Sequence, residues 1–248
     1  MESRRQRRIS NSAAIYIPVG ALGIIFLTIL GISSFLRIMA IEVQGVTRYS
    51  VEDVAAVSGI SQGDNLLFLD LEAAERRIVA AMPFVSEASI SRIMPDTVKI
   101  EIVESIPVAS IELRGDFLVI DSSGRILDRA ESFPEGLVEI IGVTPVEAAI
   151  GAQIRAEGIG DNNVQAMRYI LSALERDGLI EDVSDLDVTN IAQITFGIQG
   201  RFHVLLGNRD NLRQKLGNLQ SAINDVEENA RGQIDIRDHT ERPRFSQS

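Results

Sequence analysis

The chain is 248 residues long, with 35 acidic and 24 basic side chains, a formal net charge of −11, and neither cysteine nor tryptophan. Without thiols it can form no disulfide, no cysteine-ligated zinc site and no cysteine nucleophile, so stability must come from core burial. Residues 1–12 carry +3 and 13–36 carry no charge, which leaves −14 on the remainder, a balance unsuited to nucleic-acid phosphates or an anionic lipid surface.

Four arginines, Arg4, Arg5, Arg7 and Arg8, precede a charge-free run from Ala13 to Leu36, and Arg37 closes it. As an α-helix this run would be ~36 Å long, enough to cross a hydrocarbon core of ~30 Å with some tilt. Thirteen of its residues are Ile, Leu, Val or Phe, favouring insertion by about 4–8 kcal/mol before depth is discounted. The run exceeds the apolar core of a cleaved signal peptide and ends in Phe-Leu-Arg rather than small residues. The expectation is a single transmembrane helix over 13–36, in contact with membrane lipid. Residues 1–12 then form a basic cytoplasmic tail, and everything from Met39 onward is extracytoplasmic.

In residues 38–44 Ile41 and Val43 alternate with Glu42 and Gln44, which predicts a half-buried strand ended by Gly45. Ser50 precedes Val51, Val54 and Ala55, and with Asp53 three residues on it makes a capping-box pattern opening a short helix. Gly59 and Gly63 punctuate the link. Asp70 caps a second helix with Leu71, Ala74, Ile78 and Ala81 on its stripe, and Pro83 stops it. A strand over Val85–Ser91, a turn at Met94-Pro95-Asp96, and a strand with Val98, Ile100 and Ile102 inward complete a β-α-α-β-β order. Two helices can cover one face of such a three-stranded sheet.

The line from Ile41 to Val103 resembles a POTRA domain. The marks are the strand ending in Gly45, the Gly59–Gly63 link and the Asn65-Leu-Leu-Phe-Leu-Asp lead into the second helix. The Met82-Pro83-Phe84-Val85 exit and the Pro95-Asp96-Thr97 turn complete them.

Beyond Pro107, Phe117–Ile120 and Ile126–Leu127 flank Asp121-Ser-Ser-Gly124, a hairpin signal. Leu137–Ile141 is a further strand candidate, while 142–160 shows no usable periodicity. Asp161 is expected to cap a helix with Val164, Met167, Leu171 and Leu174 on one stripe, ended by Gly178. Strands over Val183–Val188, Gln193–Phe196 and Arg201–Leu206 follow. A long helix then begins near Asp210, with Leu212, Leu216, Leu219, Ile223 and Val226 on one face. The last element is Gln233–Arg237, with Ile234 and Ile236 inward.

The fold class is therefore α+β: one membrane helix, a POTRA-like domain over 38–105, and a second mixed domain over 106–238 with a largely antiparallel sheet. Residues 239–248 are expected to be a flexible polar tail. No metal or cofactor motif appears, nor any nucleophile elbow. His203 alternates with Phe202 and Val204 and falls on the solvent face. His239 falls in the tail. Asp185 and Asp187 read as the wet side of a strand. These residues assign no catalytic, metal or cofactor site, and no enzyme is expected.

Basic stub, span, POTRA-like domain and second α+β domain together resemble the bacterial cell-division family FtsQ/DivIB. The likeness is strongest over 41–103 and over 203–237, where Leu206-Gly207 leads into the KLGNLQ helix and then Gly232-Gln-Ile-Asp-Ile-Arg237. The resemblance implies a bitopic scaffold of the division machinery in the cell membrane at the septum. It would bind small bitopic partners of the FtsB/DivIC and FtsL type, and other septal proteins, near its last strand. Carried over by position, the partner-binding residues are Ile234, Asp235, Ile236, Arg237 and Asp238. Asp238 stands where the family often has an aromatic. An exposed sheet edge suits such a role, because its unpaired N–H and C=O groups can be completed by a partner strand; with only a tail after it, 233–237 is expected to be that edge. Other users of the POTRA domain, transport or secretion components, carry several copies or a C-terminal barrel, and this chain has one copy and no barrel pattern. A membrane-anchored wall enzyme is the remaining alternative.

Overall fold

The computed structural model describes residues 16, 18–27, 31, 36–146, 148–158, 160–227 and 230–247. The basic tail over 1–12 and much of the run over 13–36 lie outside them. Residues 18–27 are helical; among the described residues no helix is long and apolar enough to cross a membrane. The chain divides into two compact units, Met1–Ile78 with Glu87–Val103, and Val79–Ser86 with Glu104–Ser248.

The first unit is built on a three-stranded sheet. Its elements in chain order are β1 (Ala40–Gln44), α1 (Val51–Ser58), α2 (Leu71–Ala81), β2 (Val85–Ile93) and β3 (Thr97–Glu104), with spatial order β1-β3-β2. β1 runs parallel to β3, Val43 opposite Ile100. The strand starts two residues later than the alternation suggests. Ile38 is buried, but its N–H donates to Asp64 O and its carbonyl accepts from Gly63 N, which holds it to a turn instead of a strand. Gly45 follows β1 at φ +84, and a Cβ there would lie 2.0 Å from Ile102 O. Only glycine accepts both that backbone and that approach.

The capping box forms as expected: Asp53 N donates to Ser50 Oγ at 3.1 Å, and Ser50 Oγ donates to the Asp53 carboxylate at 2.7 Å. Asp70 Oδ1 accepts from Ala73 N at the head of α2. Val54, Ala74 and Ile78 are buried, as are Val98, Ile100 and Ile102 along β3. Ala81 is exposed, in contrast to its expected place on the stripe. The helix ends there, and Met82 fills the inward position as Val85 N–H turns back to its carbonyl.

The second unit carries a nine-stranded mixed sheet. In chain order come β4 (Ala109–Leu113), β5 (Asp116–Ile120), β6 (Ile126–Ala130), β7 (Val138–Ile141), α3 (Gly160–Arg176), β8 (Val183–Asp187), β9 (Ile194–Ile198), β10 (Phe202–Gly207), α4 (Leu212–Asp225), β11 (Gly232–Asp235) and β12 (Arg244–Gln247). The sheet order is β12-β11-β10-β9-β8-β7-β4-β5-β6. Pairings are parallel at β4–β7, β7–β8 and β10–β11 and antiparallel elsewhere. α3 and α4 touch one another, and their apolar stripes join the inward strand residues in one core that includes Met167, Leu171, Leu216, Leu219, Phe196 and Leu206.

Asp161 sits inside the first turn of α3 rather than capping it. Gly178 ends α3 as expected: Leu179 N–H returns to Leu174 O at 2.8 Å, and the Leu179 side chain is buried. α4 begins after Asn211 rather than Asp210, and Val226 lies just past its end. The stretch 142–160, which periodicity does not place, is threaded onto the β5–β6 hairpin in its described part. Ile126 N donates to Ala152 O and Ile154 N to Gly124 O, while Val143 and Ile154 enter the core.

Candidate functional site at the carboxy-terminal sheet edge

Five residues, Ile234 to Asp238, are the sequence candidates for partner binding. Ile234 and Ile236 are fully buried, as their alternation implies. The expected edge position is corrected: β11 is flanked on both sides, parallel to β10 and antiparallel to β12. The last strand of the sheet is β12, drawn from the segment expected to be a loose tail. Its register sets Ile234 opposite Phe245 and Asp235 opposite Arg244. Beside this backbone pairing, the phenyl ring of Phe245 lies edge-on to Phe202 with centroids 6.1 Å apart. The Arg201 guanidinium lies 4.6 Å from the centre of that same Phe202 ring. A lone aromatic among polar residues, Phe245 was the one sequence signal for this strand, too short for a periodicity to register.

Hydrogen-bond alternation tells which backbone groups remain at the rim. Gly232 N donates to Arg201 O and Ile236 N to Leu205 O, so the even-numbered residues of β11 serve β10. Gln233 and Asp235 therefore face β12 and pair with Ser246 and Arg244, their register partners. It follows that Phe245 and Gln247 turn their N–H and C=O groups away from β11, to the side of β12 that no other strand covers among the described residues.

Beside this rim the chain after Ile236 is tightly tied. Arg237 Nη2 donates to Asp235 Oδ2 at 2.6 Å, and its Nε donates to both Asp235 oxygens at 2.9 and 3.1 Å. The hydrogen bonds from Arg237 hold the Asp235 carboxyl below the usual carboxylate range, against partial burial. Gly207, at φ +73, lets the Arg237 stem cross closely: a Cβ there would lie 3.0 Å from Arg237 Cγ. Asp238 Oδ1 accepts from Thr240 N at 2.9 Å and Thr240 Oγ1 at 2.7 Å, and these bonds lower its pKa in turn. Arg237 and Asp238 are exposed. His239 is half-buried, not loose, and its carbonyl accepts from Asn218 Nδ2 on α4. A groove of about 570 Å³ opens here, with Asn218, Ala222, Val226, His239 and Phe245 among its walls.

His203 is exposed, and Asp185 and Asp187 flank buried Leu186 on the wetter face of β8. Among the described residues no cluster of histidine and acidic groups could hold a metal. The arrangement offers a strand rim, a salt-bridged knuckle and a shallow groove, which are means of binding a chain.

Comparison with known proteins gives consistent matches to a family model and to several relatives. Residues 36–105 match the family model "POTRA domain, FtsQ-type". The cell division protein FtsQ of Corynebacterium glutamicum is 32% identical over 158 residues, spanning 59% of this chain and 70% of its own length. FtsQ of Streptomyces griseus is 26% identical over 159 residues, 64% of this chain and 76% of that one. The cell division protein DivIB of Clostridium tetani is 23% identical over 195 residues, 78% and 72% respectively.

Proposed function

The chain belongs to the FtsQ/DivIB family of bacterial cell division proteins, and on that premise we propose that it is a non-enzymatic, bitopic scaffold of the division machinery. Residues 13–36 anchor it in the cell membrane with the N-terminus cytoplasmic. Its POTRA domain positions neighbouring septal proteins, and the second domain captures partners of the FtsB/DivIC and FtsL type by adding their strand to the sheet. The observation that carries this reading is the open side of β12, where Phe245 and Gln247 present backbone groups beside exposed Arg237 and Asp238. Such pairing takes affinity from main-chain bonds and selectivity from neighbouring side chains. The docking line thus moves one strand outward from 233–237, while Arg237 and Asp238 stay at its end.

The test separates backbone from side chain. Phe245→Pro removes an N–H on the open side and leaves the bonds of Arg244 and Ser246 to β11 in place. Phe245→Ala removes the ring and keeps the N–H. One lost main-chain bond costs about 0.5–1.5 kcal/mol, or roughly 2–10-fold in affinity, before steric effects. Capture of a tagged FtsB/FtsL-type partner should therefore fall further with proline than with alanine, and Arg237→Glu should lower it as well. Equal capture by the proline and alanine variants would sink strand addition at β12.

A further inference from the structure

We propose that the POTRA domain touches the membrane itself, through an apolar patch formed by Met39, Leu67, Phe68, Ile93 and Met94 that seats in the headgroup–acyl boundary. This rests on the reading of residues 13–36 as a membrane span. All five side chains are exposed, Phe68 at 78% and Met39 at 72%. Singly, exposed apolar residues mean nothing. These five come from three segments that the backbone gathers at one place. Leu66 N donates to Leu36 O at 2.8 Å and Ile38 N to Asp64 O at 2.9 Å, joining the 63–69 turn to the chain just leaving the apolar run. Met39 N donates to Asp96 O at 2.8 Å, and Arg92 reaches Leu66 O and Leu69 O at 2.7 Å each, bringing in the β2–β3 turn.

The turn that carries Leu67 and Phe68 is fixed, not frayed. Asn65 Oδ1 accepts from Leu67 N at 3.0 Å and Asn65 O from Phe68 N at 3.2 Å, while Arg92 holds the carbonyls on either side. A turn so held keeps two large apolar side chains in water unless a second apolar phase lies against it. The lipid around the apolar run, whose last residue Leu36 is bonded to this turn, supplies that phase. Phe68 stands two residues beyond the Leu66–Leu36 hydrogen bond, so its Cα is within about 10 Å of the end of the run. Met39 stands three residues beyond Leu36, also about 10 Å. The interfacial layer outside the hydrocarbon core is roughly 5–8 Å thick on each side, so both backbone positions stand near its outer limit and the side chains enter it by leaning back toward the run. The attraction is apolar, as it must be for an acidic chain.

The absence of tryptophan makes the test direct. Full-length Phe68→Trp and Phe26→Trp proteins, each a single-tryptophan reporter, are reconstituted in phosphatidylcholine vesicles containing brominated acyl chains. Interfacial side chains sit about 5–10 Å into the headgroup–acyl boundary. The Phe68→Trp emission should therefore shift to the blue and be quenched more by bromines near the glycerol than near the chain end. Phe26→Trp should be quenched more by the deep bromines. Quenching in Phe26→Trp with none in Phe68→Trp overturns the patch and leaves the span standing. If iodide also fails to reach the Phe68→Trp reporter, a protein covers it instead. Quenching in Phe68→Trp alone supports the lipid contact and removes the span beneath it. Quenching in neither removes both.

Discussion

Lys215 lies in α4 with its side chain almost wholly buried, a rare place for an ammonium. It survives there because all three of its donors are used: Leu206 O at 3.0 Å, Asn208 O at 2.8 Å and Asn208 Oδ1 at 3.1 Å. Those acceptors are neutral, so the group clamps the β10–α4 connection without an ion partner in contact. Burial pushes its pKa down from the ordinary lysine value, with Asp210 and Asp238 pulling weakly the other way. The unfolded chain consequently holds this proton more tightly than the folded one, and the contribution of Lys215 to stability rises with pH up to the ordinary lysine pKa. Lys215→Met keeps the stem but strands three acceptors, at about 1–3 kcal/mol if they stay dry. Urea unfolding followed at the second unit should show that loss at pH 7, together with a flatter alkaline slope than in the unsubstituted protein. An unchanged slope would mean that folding leaves the proton affinity of this lysine unaltered. In the sequence Lys215 passes for a surface residue, because the leucine stripe 212-216-219 predicts the buried face and lysine is seldom counted toward one. No pattern in residue types betrays a lysine whose partners are backbone carbonyls.

At the scale of elements, legibility followed periodicity. The capping box of α1, the Asp70 cap of α2, the buried stripe through Val54, Ala74 and Ile78 and the strict alternation of β3 are readable, because each element has one face in water. Val51 and Ala81, expected on those stripes, are exposed. β4 is not readable. Ala109, Ser110 and Ile111 are buried in succession between β5 and β7, and a strand covered on both faces loses its period-two signature. β12 was missed for the opposite reason: four exposed residues with one anchoring ring leave nothing to count. Its pairing can nonetheless be tested amide by amide. Ending the chain at Pro243 removes β12 and uncovers the N–H groups of Gln233 and Asp235, while those of Gly232 and Ile236 stay bonded to β10. Hydrogen exchange in the truncated protein should accelerate by about tenfold or more at 233 and 235 and change little at 232 and 236, in the manner of a local rather than global opening. Uniform acceleration across β11 would show instead that the whole rim depends on β12.

For the molecule as a whole the dominant quantity is charge. Outside residues 1–36 the chain carries −14 at pH 7, and compact states of strongly charged chains are weakened by self-repulsion. Ion pairs offer little relief. The Glu72–Arg76 and Glu241–Arg244 pairs are mostly in water, where such contacts are worth about 0–1 kcal/mol. Salt weakens both effects, but repulsion is summed over many separated like charges and is the larger. Raising ionic strength shortens the screening length from about 30 Å at 0.01 M to about 10 Å at 0.1 M and 3 Å at 1 M. Each kcal/mol of repulsion removed should lift Tm by about 2–4 °C in a protein of this size. Thermal unfolding of the full chain in detergent at pH 7 should therefore move upward between low and high KCl. Near the sequence pI of about 4.7 most of the excess charge is gone, and the salt response should vanish. Asp235 and Asp238 retain their charge there, since their hydrogen bonds hold both carboxyls below the usual range. Their contribution is present above the ordinary carboxylate pKa and is lost only as pH falls through the lowered one. The knuckle beside β12 thus outlasts the relief of repulsion, and a fall of Tm with salt at pH 7 would show that attractive pairs, not the net charge, govern the fold.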